Sequence, residues 1–461
     1  MTIDVLPDDA LLDIFDFYLA KAWEKAWRGL VHVCRRWRNI VFGSPRRLNL
    51  RLYCTVGTPV EMLDIWPPLP IDIGYEWGDE SESVDNIVAA LEHNERINAI
   101  DIRNMSASQF EETTEVEGPF PALTRLCLRF DSYWIEKQPR LPDVPDSFLG
   151  GFAPCLQAVT LERISFSGLP TLLLSATHLV HLVLQGIPFY GYISPDAMAT
   201  GLSASTRLDK LVIEFATCRH RKSQRPPSPT RILLPVLTKL RFKGPNRYLE
   251  DLVARIDAPL LDKSEITFFC QRHFDTSQLA RFISCTEKFT THDKALVVFS
   301  YSDIFVTLPQ TSGGALKLRI LLYQSSKYQR ELLSLAQICS SFFPLIPAVE
   351  RLYIVDSWTG NIYLDSPDIT EWSEFLRPFT AVKDLYMPPK FMSCIAPALQ
   401  ELVGDGVTGM LPALQTLYLE LEDSNEDPTN SRRDFNEIVT ARQRAGHPIA
   451  LSPWERKCGD W

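Results

Sequence analysis

Pro235-Val236-Leu237-Thr238-Lys239-Leu240-Arg241-Phe242 is one copy of a pattern that returns along most of the chain: a proline, then apolar-x-x-apolar-x-apolar. The same spacing holds at Leu123/Leu126/Leu128, Leu156/Val159/Leu161, Leu179/Leu182/Leu184 and Leu208/Leu211/Ile213. It returns at Val349/Leu352/Ile354, Val382/Leu385/Met387 and Leu414/Leu417/Leu419, with an earlier copy at Ile97/Ile100/Ile102. Weaker copies sit at Leu261/Ser264/Ile266 and Leu399/Leu402. The last two apolar positions alternate, as one face of a strand requires, and the first tucks the entering chain beneath that strand.

Successive first positions at 123, 156, 179, 208 and 237 are 33, 23, 29 and 29 residues apart, close to the period of leucine-rich repeats. Helical segments fall between the copies. Ser194-Pro195-Asp196 opens one with a cap and a first-turn proline. Tyr248, Leu249, Leu252, Val253 and Ile256 mark an amphipathic face, as do Leu279, Phe282 and Ile283, and Leu332, Leu335, Ala336 and Cys339. Strand, turn and helix in alternation predict an α/β fold class, an irregular leucine-rich-repeat solenoid over residues 97–430. The fit is poor from about Glu287 to Leu322. Residues 46–96 read as the entry to the solenoid, with strand-like alternation at Arg46–Leu52 and Ile71–Ile73. Residues 431–461 read as a capping helix and tail. Thr217–Thr230, with Arg219-His220-Arg221-Lys222 and Ser228-Pro229, reads as a solvated loop.

Residues 1–45 have a different character. Pro7 suits the first turn of a helix, and Asp8 and Asp9 place negative charge at its positive end. Leu11, Ile14, Phe15, Tyr18 and Leu19 recur at helical spacing, and a second helical face follows in Leu30, Val33, Cys34, Trp37 and Val41. Leu6-Pro7, an apolar helix, then Val33-Cys34-Arg35-Arg36-Trp37-Arg38 resembles the F-box, the short helical module that docks onto a Skp-type adaptor. The resemblance implies that Leu6, Pro7, Leu11, Ile14, Phe15, Leu19, Val33, Cys34 and Trp37 contact the adaptor or hold the helices together. The link Ala20–Gly29 departs from the family pattern, lacking a polar turn. F-box first and irregular repeats after is similar to the architecture of F-box proteins of mushroom-forming fungi. That resemblance implies a substrate-receptor subunit of a Skp–cullin–F-box ubiquitin ligase, partnered by the adaptor, through it a cullin, and a client protein.

The chain has 461 residues, 45% hydrophobic and 23% charged, which is the composition of a folded soluble protein. A net charge of −10 gives no reason to expect nucleic-acid or anionic-membrane binding. No run of eighteen apolar residues reads as a membrane span, and the acidic start does not read as a secretory signal. Ten scattered cysteines without a Cys-x-x-Cys pair read as reduced thiols, an expectation of a cytoplasmic and/or nuclear protein. Gly404-Asp405-Gly406-Val407-Thr408-Gly409 matches a dinucleotide fingerprint, but a repeat strand and not a helix follows it. Asp423–Asp434 has Pro428 where a calcium loop needs glycine. His178 and His181 are predicted to diverge from each other at the start of a strand. The expectation is therefore no catalytic residues, no metal and no cofactor. A repeat scaffold with a degenerate F-box is the alternative reading of function, and a nucleotide-binding enzyme through Gly404–Gly409 ranks below both.

The residue between the second and third apolar positions points away from the core. It is tyrosine in three late copies, Tyr353, Tyr386 and Tyr418, and these are predicted to line one exposed face, interrupted only at Val403. Lys239, Arg241 and Lys243 offer a basic counterpart for an acidic client.

Overall fold

The computed structural model describes residues 5–456 apart from 22–25, 59–60, 77–82, 117, 131–142, 218–230, 270–273, 290–291, 301–302, 310–313, 322–327, 342–345, 358–368, 401–409, 421–438, 441 and 445. The elements group into two compact units, Met1–Ile193 with Thr200–Leu208, and Ser194–Ala199 with Asp209–Trp461.

The first unit begins with helices α1 (Asp8–Lys21), α2 (Trp27–Val33) and α3 (Arg35–Gly43). Its strands are β1 (Leu52–Cys54), β2 (Ile71–Tyr75), β3 (Ile97–Arg103), β4 (Arg125–Arg129), β5 (Asp143–Val144), β6 (Ala158–Glu162), β7 (Ser165–Phe166) and β8 (His181–Ile187). The order β1-β2-β3-β4-β6-β8 forms a parallel sheet, and β5 with β7 a separate short ladder. The repeat's apolar positions stack in register: Ile100 beside Leu126, Leu126 beside Val159, Val159 beside Leu182. All four are fully buried, each contributing about 1.5–3 kcal/mol of burial. Just before the strands, a chain of backbone bonds ties neighbouring repeats together. Thr124 donates to Asn98, Gln157 to Thr124 and Val180 to Gln157, each at 2.8 Å.

The second unit repeats this scheme with β9 (Lys210–Phe215), β10 (Ile232–Leu233), β11 (Lys239–Gly244), β12 (Ile256–Asp257), β13 (Lys263–Phe269), β14 (Lys294–Phe299), β15 (Asp303–Pro309), β16 (Ala315–Leu321), β17 (Arg351–Asp356), β18 (Asp384–Met387), β19 (Thr416–Glu420) and β20 (Ala450–Trp454). Its main sheet runs β9-β11-β13-β16-β15-β14-β17-β18-β19-β20. Helices Asn246–Val253, Ser277–Ser284 and Tyr328–Ser341 fall at the expected places, and a further helix, Ile369–Leu376, is one the spacing does not anticipate. The repeat's apolar residues face them: Phe242 stacks on Tyr248 at 6.0 Å, and Phe299 packs on Trp372 at 5.7 Å.

Several expectations need correction. The segment around 287–322 is an antiparallel insertion, β14 against β15 and β15 against β16, so one-way repeat spacing cannot continue there. Leu399 lies in the helix Met392–Gln400, so the weak copy at Leu399/Leu402 is no strand. Residues 45–49 form turns, with Asn49 at φ 48°, and the strand starts only at Leu52. The second N-terminal helix is two, divided at Cys34. Beyond residue 431, where a capping helix and tail are expected, Ala450–Trp454 adds a further strand beside β19.

Candidate functional site

Two surfaces gather the residues singled out in the sequence. The first is the N-terminal helical module. Cys34 has extended backbone, and its sulfur accepts the Trp37 N–H at 3.4 Å, so it caps α3. Phe15 and Trp37 pack ring against ring at 4.7 Å, joining α1 to α3. The Arg36 guanidinium donates to the Asp8 carboxylate and to the Leu6 carbonyl, closing the start of α1 onto α3.

Of the nine residues assigned by resemblance, Leu11 and Phe15 are buried, and Leu6, Leu19, Cys34 and Trp37 are half-buried. Leu19 lines a cleft of about 660 Å³ with Asp16, Trp27, Arg51, Asp72 and Arg125, where the helices meet the sheet of the first unit. Pro7, Ile14 and Val33 face outward. Beside Ile14 lie Phe17 and Tyr18, a pair the resemblance does not include; Ile14 is 46% exposed, Phe17 64%, Tyr18 49% and Val33 59%. Trp27, within the link that departs from the family pattern, is the module's anchor. It is buried, its indole N–H donates to the Arg51 carbonyl at 3.1 Å, and its ring meets Trp66 at 5.1 Å.

The second surface is the face of the second unit's sheet opposite its helices. One register row crosses it: Arg241 beside Glu265, Glu265 beside Lys317, Lys317 beside Thr307, Thr307 beside Leu296, Leu296 beside Tyr353, then Tyr386 and Tyr418. Arg241 and the three tyrosines thus share one face and one row, and Lys239 and Lys243 flank Arg241 on the same strand. The tyrosines are not open to solvent as expected. Their rings stack at 4.2 and 4.3 Å, Tyr353 is only 7% exposed, and Trp454 of β20 lies against Tyr386 at 5.5 Å and Tyr353 at 6.0 Å. Tyr386 and Tyr418 sit on adjacent strands; Val403 lies outside the described residues. Burial, then the neighbouring Tyr353 phenol, pushes the Tyr386 hydroxyl above its ordinary pKa.

Sequence reasoning missed Phe305, Lys317 and Arg319, because the antiparallel insertion that carries them breaks the repeat pattern. They were legible in the strict alternation of Asp303–Pro309 and Ala315–Leu321. The Lys317 ammonium sits 4.1 Å from the centre of the Phe305 ring and the Arg319 guanidinium 5.2 Å from it. Desolvation by burial, then the nearby Arg319 charge, lowers the pKa of Lys317. Among the charges on this face, Arg241 pairs with Glu214 at 2.8 Å and with Glu265 at 3.7 Å, and Arg319 with Asp303 at 3.5 Å.

His178 sits 3.3 Å from Arg207, while His181 opens β8 and is exposed, so the two do not converge. Gly404–Gly409 and residues 423–434 lie outside the described residues. Among the described residues no cluster of metal-ligating side chains occurs, and no helix is long and apolar enough to cross a membrane.

No protein-family model and no curated protein sequence matches the chain. Among solved structures it is similar to the leucine-rich repeat-containing protein LegL7 from Legionella pneumophila, at a TM-score of 0.27 and 10% identity, over 84% of this chain and 98% of that one.

Proposed function

We propose that this chain is a substrate-receptor subunit of a Skp–cullin–F-box ubiquitin ligase, in which the N-terminal helices bind a Skp-type adaptor and the repeats hold a client protein. The observation that carries this reading is the outward row of Ile14, Phe17 and Tyr18 on α1, accompanied by Val33 on α2. Contiguous exposed apolar side chains of this size mark a docking face. The inner side of α1 is already used, by Leu11 and Phe15, to hold the module together. The ligation chemistry belongs to partner subunits, and this chain supplies proximity.

A second reading, a repeat scaffold whose helices merely cap the first strands, draws support from the burial of Trp27 and its bond to Arg51. It gives no account of the outward Ile14 and Tyr18. Co-purification with a Skp-type adaptor separates the two. Ile14→Asp is expected to weaken that association more than tenfold, since buried interface anchors typically carry about 2–4 kcal/mol each. Leu6→Ala with Pro7→Ala is expected to act in the same direction, while the thermal transition of the repeats stays unchanged. Wild-type binding by the Ile14→Asp variant would reject the ligase reading.

A further inference from the structure

The outer face of the second unit's sheet divides into two chemistries. One half is cationic, with Arg241 and Lys243 on β11 and Lys317 and Arg319 on β16. The other half is apolar and aromatic: Leu296, Val298, Tyr353, Val355 and Trp454 form one buried cluster, and the partly buried Phe305, Tyr386 and Tyr418 pack against it. The carboxylates that share the cationic half are already taken: Glu214 and Glu265 by Arg241, and Asp303 by Arg319. Among the described residues no carboxylate comes within ion-pair distance of Lys243 or Lys317. Lys317 rests instead on the Phe305 ring, half-buried, at the boundary between the halves. On a chain whose net charge is −10, a patch where four cations, Arg241, Lys243, Lys317 and Arg319, outnumber three carboxylates, Glu214, Glu265 and Asp303, is a departure from the general balance. Glu265 and Asp303 act on the Lys317 charge from beyond contact distance while engaged with Arg241 and Arg319, so a carboxylate brought to this partly desolvated cation adds a direct partner.

We propose that this face binds an extended protein segment whose acidic residues meet Lys317 and Lys243 while a large apolar or aromatic residue lies against the half-buried Tyr386 and Tyr418. The occupant is a client segment of the ligase, so the assignment deepens the function proposed above and rests on it for the client's fate but not for binding. The sheet itself sets the spacing of the two features. From β16 through β15, β14 and β17 to β18 there are four strand steps, about 19 Å at the usual ~4.8 Å per step. An extended chain covers that distance in about six residues. The recognised segment therefore carries Asp or Glu about six positions from Phe, Trp or Leu. Carboxylates, and not the phosphates of a nucleic acid, are the favoured anion. The cations form a short cluster at one end of an apolar floor, where a nucleic acid would need a basic track along its whole backbone.

The test is selection of a random-peptide phage library on the purified full-length chain, followed by affinity measurement on the recovered peptides. Enrichment of acidic residues about six positions from a large apolar residue is expected. Lys317→Glu should lower affinity for these peptides more than tenfold. Lys243→Gln with Lys317→Gln, which preserves packing should the charge reversal disturb the fold, should lower it at least threefold. Recovery of no peptide overturns the proposal, as do peptides without an acidic excess or equal binding by the Gln variant. Oligouridylate RNA that binds the chain in a Lys317-dependent way while acidic peptides do not would assign the face to nucleic acid instead. Adaptor association should be untouched in all these variants, and failure of the Ile14→Asp experiment leaves the peptide result standing.

Discussion

The two units are built to one inward plan and carry different outward faces. In the first unit the row Gly74, Asp101, Cys127, Thr160, Val183 is made of small or short side chains, and its charges cancel locally. Arg103 lies 2.7 Å from Asp101 and 3.5 Å from Glu76, and Tyr53 folds over Gly74 so closely that a β-carbon there would collide with its phenol. In the second unit the corresponding rows separate cations from stacked rings over several strands. The inward leucines are under the same packing demand in every repeat, so they repeat. The outward residues are released from that demand, and where they depart from small, paired chemistry the departure points to a use.

The comparison breaks first at the inward side. Leu240 is 2% exposed, and Leu240→Asp places an unpaired charge in the core, so a loss of more than about 4 kcal/mol is expected. Because β11 is bonded to both β9 and β13, amide hydrogen exchange should accelerate across all three strands. Acceleration limited to β11 would mean that the repeats do not depend on one another. The outward faces are compared by a pair of changes. Tyr386→Ala removes a ring stacked on both sides and should cost about 2–3 kcal/mol in chemical denaturation. Cys127→Ala, on the first unit's outward row, should cost about 1 kcal/mol or less. Equal costs would dissolve the contrast between the faces.

The last effect is read against pH and belongs to the helix side of the second unit. Glu250, on the helix Asn246–Val253, accepts the N–H groups of Gln278 at 2.8 Å and Leu279 at 2.9 Å, so it caps the helix Ser277–Ser284 from a neighbouring repeat. Burial outweighs these two bonds and pushes its carboxyl up to about 7. A folded-state value above the unfolded one means that the folded chain binds the extra proton. The associated stability is complete below about pH 4.5 and falls as pH rises through about 7. Because the group is partly open to solvent, the decline should not exceed about 2 kcal/mol. Glu250→Gln should flatten the dependence of the thermal midpoint between pH 5 and 8; an unchanged slope would assign that dependence to other groups.

Much of the fold was legible because leucine spacing reports the inward positions directly: Leu126, Leu182, Leu240 and Leu417 all stand on strands where the pattern puts them. Two features escaped for opposite reasons. The antiparallel insertion hides its direction, since Lys294–Phe299 is buried on both faces and reads as a continuous apolar run without alternation. The final strand hides because Ala450-Leu451-Ser452-Pro453-Trp454 contains a proline, which a strand tolerates only at the edge of a sheet, and β20 is the last strand in its order. The tyrosine row was found from register alone. Its burial was not, because the covering Trp454 arrives from a strand that the repeat pattern does not announce. Among the N-terminal helices the spacing located the apolar positions, but which of them face outward depends on α3 and on Trp27, both set by contacts beyond the helix that bears them.

The reversal between β13 and β17 also bears on how the chain assembles over time. Neighbouring strands such as β11 and β13 pair residues 24 apart in sequence, Lys239 with Lys263, whereas β14 and β17 pair residues 57 apart, Lys294 with Arg351. Closing the longer loop costs more chain entropy and comes later. The repeats before and after this joint can therefore zip up by short-range steps while the joint waits. Lys317 and Phe305 lie within the insertion and the tyrosine ladder beyond it, so neither half of the row stands beside the other until that last closure. A chain still emerging from the ribosome thus has no completed outer row, and the segment binding proposed for this face would be a property of the finished molecule alone.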